Sequence, residues 1–141
     1  MGVIIGFIGA KRGMDRKQRS ALVDSLGRMN LGAAHHRGTK SDVDFHRICL
    51  EAGITEINVH PIVKVDPDEI ILPPADKSEL PGAIYWEPSR DRSAMRSVVD
   101  SSELLMVAPV DQSQQGEVWP SIYYAEQRKK LIVMLVRHEF K

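Results

Sequence analysis

The fold is decided by Val3-Ile4-Ile5-Gly6-Phe7-Ile8-Gly9, a continuous apolar run rich in β-branched residues and closed by glycine. Such a run is typical of a strand that is buried on both faces, as central strands of a parallel sheet are. A polar loop follows at residues 10–15, and residues 16–29 then carry apolar side chains at helical spacing. Strand, short loop and helix together predict the first half of a βαβ unit.

The same alternation continues along the chain. Further strands are predicted at residues 31–36, 54–59, 104–109 and 131–136, and further helices at residues 41–52, 90–101 and 119–128. Parallel strands need helical crossovers, so this order predicts an α/β, doubly wound fold with a mainly parallel five-stranded sheet and helices on both faces.

The chain of 141 residues fits one domain over residues 1–141. Residues 62–89 interrupt the alternation and contain Pro73-Pro74 and Pro81-Gly82, so we interpret them as an irregular, Pro-rich excursion. The apolar cluster Ile84-Tyr85-Trp86 lies in this excursion. Two interpretations of the cluster stay open: a contact between subunits of a homo-oligomer, or a segment that folds back over the sheet.

Composition limits the class of protein. Nineteen basic residues balance nineteen acidic ones, and this zero net charge argues against a domain that binds nucleic acid by neutralising phosphates. The single cysteine, Cys49, cannot form an internal disulfide, and we expect a buried structural thiol. No signal-peptide pattern and no apolar window long enough to cross a membrane is found, so we expect a cytoplasmic protein without membrane contact.

Ligands of doubly wound sheets bind beyond the carboxyl ends of the strands, which selects the loops that follow them. The first, Gly9-Ala10-Lys11-Arg12-Gly13, matches neither G-x-G-x-x-G nor a Walker A motif. It is either a phosphate site built from backbone N–H groups or a tight turn with solvated cations. In the second loop, residues 35–42, Asp42 is predicted either to cap the next helix or to contact a ligand hydroxyl.

Four histidines, His35, His36, His46 and His60, raise the question of a metal. They fall on separate predicted elements, and neither H-E-x-x-H nor C-x-x-C occurs. We therefore predict no metal site and no other cofactor.

Several short motifs, in order and across nearly the whole chain, resemble the SLOG superfamily of Rossmann-like nucleotide-binding domains, and small single-domain members most. This superfamily includes the DNA-processing A protein and the Lonely Guy enzymes. The resembling pieces are Gly6-Phe7-Ile8-Gly9-Ala10-Lys11-Arg12-Gly13-Met14 with Gln18, His35-His36 with Asp42 and Phe45-His46, Asn58-Val59-His60-Pro61, residues 99–109, and Gly116 with Trp119, Ser121 and Tyr124-Ala125.

The resemblance implies a Rossmann-like domain that binds a nucleotide or a nucleotide-derived small molecule in one cleft. It marks residues in four loops as ligand-binding. They are Gly9, Ala10, Lys11 and Arg12, then His36 and Asp42, then His60 with Pro61, and finally Pro109, Gly116, Trp119 and Ser121.

The last loop departs from the Lonely Guy pattern P-G-G-x-G-T-x-x-E. It lacks the glycine run, and Tyr124 stands where the catalytic glutamate is expected. The sequence therefore favours a module that senses or sequesters its ligand, and it identifies no catalytic residue. The alternative is a hydrolase of an N-glycosidic or phosphate bond that uses Glu117, Asp42 or Asp100. Further cations are predicted near the cleft at Arg37, Lys40, Arg92 and Arg96. The family suggests a homo-oligomer.

Overall fold

The computed structural model describes residues 2–63, 73–110 and 117–136. Its strands are β1 (Val3–Gly9), β2 (Leu31–His36), β3 (Glu56–Val59), β4 (Ile84–Tyr85), β5 (Leu104–Ala108) and β6 (Leu131–Met134). Its helices are α1 (Arg16–Gly27), α2 (Val43–Glu51), α3 (Asp91–Ser101) and α4 (Trp119–Gln127), with short 3-10 turns at Lys40–Asp42 and Lys77–Glu79. None of the helices in these ranges is long and apolar enough to cross a bilayer.

The strands form one sheet in the order β4-β3-β2-β1-β5-β6, and every neighbouring pair is parallel. From β1 the chain builds outward through β2 and β3 on one side and, later, through β5 and β6 on the other. The order therefore reverses between β1 and β5, which is where doubly wound sheets place their ligands. The α/β prediction and the parallel sheet are confirmed.

The prediction of five strands is wrong, because the sheet has six in the part of the chain that the structure describes. The extra strand is β4, where Ile84 pairs with Asn58 and Tyr85 with Val59. A strand of two residues inside a Pro-rich excursion has no alternating pattern, so only its pairing with β3 reveals it. The apolar cluster Ile84-Tyr85-Trp86 thus belongs to an edge of the sheet, with its side chains 39–47% exposed.

Helices cover both faces of the sheet. On one face, α1 and α2 pack against Ile5 and Phe7, and the rings of Phe7 and Phe45 stack with centroids 4.5 Å apart. On the other face, α3 and α4 pack against Ile8, Leu105 and Val107. Burial of these apolar surfaces is the main force that holds the layers together.

Gly6 lets α3 approach β1 closely. A Cβ atom on Gly6 would lie 2.1 Å from Ser102 Oγ and 3.1 Å from Val98 Cγ1. The Ser102 hydroxyl occupies this space and donates to the Val98 carbonyl. Gly6 therefore sets the distance between β1 and α3. The N-terminus of α3 lies at the carboxyl edge of the sheet.

Candidate functional site

The loops after β1 and β5 meet at the reversal point of the sheet. The Ala10 N–H donates to the Ala108 carbonyl at 3.1 Å, and the Lys11 N–H donates to Glu117 Oε1 at 3.0 Å. Glu117 thus places a carboxylate on one of the backbone donors that the sequence offers to an anion.

A buried glutamine ties the first helix to the same crevice. Gln18 Nε2 donates to the carbonyls of Pro109 and Leu135 at 2.9 and 2.8 Å. Its Oε1 accepts from the Asp15 N–H, while Asp15 Oδ1 accepts from the Gln18 N–H, which makes a capping box. The N-terminus of α1 therefore carries its own carboxylate, and a ligand anion placed there would meet the charge of Asp15.

The first loop turns sharply and leaves its cations outside. The Gly13 N–H donates to the Ala10 carbonyl at 2.9 Å, and Gly13 has φ +86°, a left-handed conformation that favours glycine. Lys11 and Arg12 are exposed, and neither forms an ion pair with a residue of the described ranges. Both charges can therefore interact with a ligand at the mouth of the crevice.

Asp42 is fully buried at the carboxyl end of β2. Its Oδ2 accepts from the Thr39 N–H at 3.0 Å and from the Arg37 N–H at 3.2 Å. Its Oδ1 has no hydrogen-bond partner within the described ranges. Buried polar atoms are nearly always paired, so the free Oδ1 indicates a group that the protein alone does not supply.

Asp42 caps the short 3-10 turn Lys40–Asp42 that leads into α2, because its side chain accepts from the Thr39 N–H in a capping box. Asp42 stands at the N-cap of α2, but its side chain makes no capping hydrogen bond to that helix. Burial by itself raises the pKa of Asp42, but its surroundings outweigh burial and lower the pKa below its usual value. His36 Nδ1 is 3.7 Å away and accepts from the Gly38 N–H, so we attribute the lowering chiefly to Arg37 and the backbone donors.

Arg37 lies beside Asp42, and its side chain is only 7% exposed. Its Nη1 donates to Asp91 Oδ1 at 2.8 Å, and its Nη2 makes a long contact of 3.4 Å to the Gly9 carbonyl. Its Nε has no partner among the described residues. A buried donor without an acceptor costs about 1–3 kcal/mol.

The family pattern does not mark Arg37 as ligand-binding. The sequence places Arg37 among the cations near the cleft, because it comes one residue after a predicted strand, but solvated arginines occupy such positions as well. Only the contacts to Gly9 and Asp91, which are distant in sequence, distinguish the two.

His36 belongs to a directed hydrogen-bond chain rather than to the open site. Its Nδ1 accepts from the Gly38 N–H at 2.9 Å, so its Nε2 carries the proton and donates to His46 Nδ1 at 2.9 Å. His46 Nε2 then donates to the Pro81 carbonyl at 2.8 Å. This chain fixes both tautomers and holds the Pro81 turn against α2.

His35 and His60 form a second pair on the opposite face of the sheet. His35 Nδ1 and His60 Nε2 are 2.8 Å apart, and the Trp86 ring lies against His60 with centroids 4.2 Å apart. Trp86 Nε1 donates to Asn58 Oδ1 at 3.1 Å, which holds the indole in place. Burial lowers the pKa of both imidazoles to about 4, so both are neutral at pH 7.

The last loop is described only in part. Gly116 lies outside the described residues, and Trp119 and Ser121 stand in the first turn of α4. The Ser121 hydroxyl is buried and donates to the Val118 carbonyl of its own turn, while Trp119 Nε1 is a buried donor with no partner in the described ranges. The structure therefore engages the Ser121 side chain within the protein.

Asp100 and Arg96 lie outside the crevice. Asp100 stands near the C-terminal end of α3, where it accepts from the Tyr124 hydroxyl and from Arg128 Nε. Arg96 lies over the Tyr124 ring, with its guanidinium carbon 5.2 Å from the centroid. These contacts join α3 to α4. Arg92, by contrast, is exposed in the first turn of α3, near the carboxyl edge.

The histidines do not assemble into a metal centre in the part of the chain that the structure describes. No three His, Cys, Asp or Glu side chains of these residues converge as ligands. Cys49 lies on the buried face of α2, and burial raises the pKa of its thiol, which is therefore unreactive.

The sequence matches no protein-family model, and no curated protein matches it. Among solved structures, the molybdenum cofactor carrier protein from Chlamydomonas reinhardtii is similar, with TM-score 0.59 and 15% identity over 95% of this chain and 76% of that chain. The 1-deoxy-D-xylulose 5-phosphate reductoisomerase from Zymomonas mobilis, solved with NADPH, gives TM-score 0.47 and 13% identity. That match covers 95% of this chain but 32% of the reductoisomerase. The first likeness supports a Rossmann-like fold.

Proposed function

We propose that this chain is a single SLOG-like domain that binds a nucleotide or nucleotide-derived small molecule at the carboxyl edge of its sheet. The observation that carries the proposal is Asp42, a fully buried carboxylate whose Oδ1 has no partner in the described ranges. Binding sites of parallel sheets lie where the strand order reverses, and they often contain a buried ionised group with a free acceptor. Its natural partner is a hydroxyl or N–H donor of the ligand.

The charges around Asp42 support an anionic ligand. Lys11 and Arg12 are exposed and unpaired within the described residues, and the Arg37 guanidinium lies beside the carbonyl of Gly9. Carboxylates such as Glu117 lie at the same edge, so the three cations can hold a small anion but do not form the extended basic surface that a nucleic acid requires. The similar fold of a cofactor carrier is in keeping with small-molecule binding.

Binding without turnover is the simpler role, because the carboxylates are engaged. Asp42 is held by two backbone donors, and Asp100 joins α3 to α4. Hydrolysis remains the second candidate for one reason: Glu117 is exposed and lies at the Lys11 N–H inside the crevice. Release of free base or phosphate by the wild type, abolished in Glu117→Gln, would establish hydrolysis over simple binding.

Isothermal titration against nucleotides, cyclic dinucleotides and ADP-ribose derivatives tests the proposal. We expect at least one saturable heat in the wild type, its loss in Asp42→Asn, and its retention in Asp24→Asn, which alters an exposed carboxylate on α1. Absence of heat throughout the panel, with protein that unfolds cooperatively, would refute the proposal. Homo-oligomerisation through the exposed cluster Ile84-Tyr85-Trp86 is a separate expectation, which light scattering after gel filtration tests.

A further inference from the structure

Arg37 has more donors than the protein uses. A guanidinium carries five N–H groups. In Arg37, Nη1 reaches Asp91, Nη2 makes one contact of 3.4 Å to the Gly9 carbonyl, and Nε reaches no acceptor in the described ranges. Nη2 bears two hydrogens, of which the Gly9 carbonyl accepts one. The second Nη2 hydrogen and the Nε hydrogen therefore have no acceptor in the described ranges, and these two N–H groups lie side by side.

The protein also fixes the orientation of this guanidinium. Asp91, in the first turn of α3, accepts from Nη1, and the Gly9 carbonyl at the end of β1 faces Nη2. The charge is countered by Asp91, which is 38% exposed, and by the nearby buried carboxylate of Asp42, which accepts from the backbone N–H of Arg37 and leaves its side-chain donors unused. The free donors therefore belong to a guanidinium that the protein holds in a fixed orientation.

We propose that Arg37 is the residue that binds a phosphoryl group of the ligand, through its Nε and Nη2 donors, and that Asp91 positions it. This inference rests on the proposed function. Two neighbouring N–H groups of arginine match two oxygens of a phosphoryl group, whereas lysine offers only a point charge. The N-terminus of α1, the usual place for an anion, is occupied by its own Asp15 cap, which moves the anion site across the crevice to Arg37.

Nε does not contact solvent in this structure. Binding of the phosphoryl group therefore includes displacement of the atoms that cover Nε. A test must detect the contact at Nε itself, because attraction of an anion to the exposed side chains of Lys11 and Arg12 would produce binding without it.

The direct test follows the Nε–H resonance of Arg37 in ¹⁵N-labelled wild-type protein during titration with inorganic pyrophosphate at constant ionic strength. Arg28 follows α1 at the opposite edge of the sheet and is exposed, so its Nε–H is the internal control. We expect a saturable shift at Arg37 and none at Arg28. Equal small shifts at both residues, or none at Arg37, would overturn the assignment.

Variants supply the second readout. Arg37→Lys keeps the charge but removes Nε and the planar donors, and we expect it to weaken pyrophosphate binding by about tenfold or more. The matched change Arg28→Lys should leave binding within about twofold. If Arg37→Lys does not fold, the wild-type titration decides alone.

The two proposals can fail separately. A silent nucleotide panel with a saturable pyrophosphate shift at Arg37 would refute the nucleotide ligand and keep the phosphoryl site. Nucleotide binding with an unmoved Arg37 resonance and unchanged affinity in Arg37→Lys would keep the proposed function and refute the role of Arg37.

Discussion

Arg37 Nη1 donates to Asp91 Oδ1 at 2.8 Å, and this ion pair joins the carboxyl end of β2 to the first turn of α3. The arginine is nearly buried and the aspartate is partly exposed. The pair therefore joins two elements at the edge of the sheet where the proposed ligand binds. It is less exposed to solvent than the ion pairs of Arg47 on α2.

We expect Asp91→Asn to lower the free energy of unfolding by about 1–3 kcal/mol, because it removes the carboxylate charge that faces the nearly buried Arg37 side chain. Asp44→Asn is the control: it weakens two exposed pairs, with Arg47 at 3.3 Å and with Arg19 at 3.7 Å, and should cost about 0–1 kcal/mol. Urea unfolding measures both. Equal losses in the two variants would show that the burial of Arg37 does not strengthen its pair.

We expect His46→Leu to destabilise the protein by about 1–3 kcal/mol, because it leaves the buried Nε2–H of His36 without an acceptor. His46→Asn places an oxygen near the lost Nδ1 and should restore part of the stability. Nitrogen NMR of the wild type should show both His36 and His46 with the proton on Nε2. A proton on Nδ1 of His36 would contradict the hydrogen-bond chain.

The pair of His35 and His60 predicts loss of stability in acid. Burial lowers both pKa values from 6.5 to about 4, so the unfolded chain takes up protons near pH 6.5 while the folded protein does not. Stability from these groups is therefore present above pH 6.5 and is lost as the pH falls from 6.5 to about 4. The largest loss in the free energy of unfolding is about 3 kcal/mol for each imidazole.

Denaturant unfolding of the wild type and of His60→Asn between pH 7 and pH 4.5 measures this effect. The variant has one imidazole fewer to protonate, so its stability should fall less steeply over this range. Parallel profiles for the two proteins would show that the protonation of His60 does not contribute.

We expect Gly6→Ala to destabilise the protein by about 1–3 kcal/mol or more, because the new methyl group would overlap Ser102 Oγ at 2.1 Å. The double change Gly6→Ala with Ser102→Ala removes the closest contact and should recover part of the loss. Gly27→Ala is the control, since a Cβ on Gly27 meets nothing within 4 Å. It should be neutral or stabilising by up to about 1 kcal/mol, as measured by thermal unfolding.

Much of the fold follows from local pattern. The apolar run of β1 and the helical spacing that follows it predict the parallel α/β arrangement, since such a strand must be buried on both faces and such helices must cover it. The same pattern could not predict β4, because two residues have no periodicity and their pairing depends on β3.

The candidate site divides in the same way. The sequence by itself determined which loops lie at the carboxyl edge, because strand direction in a parallel sheet places them there. Only the tertiary structure decided that Asp42 caps the 3-10 turn Lys40–Asp42 rather than α2. It likewise decided that Asp15 caps the N-terminus of α1, which the sequence offered as one possible anion site. It also decided that Arg37 is buried with free donors. Burial and hydrogen bonding of Arg37 depend on partners distant in sequence, such as Gly9 and Asp91. A local sequence pattern cannot predict which distant residues come into contact.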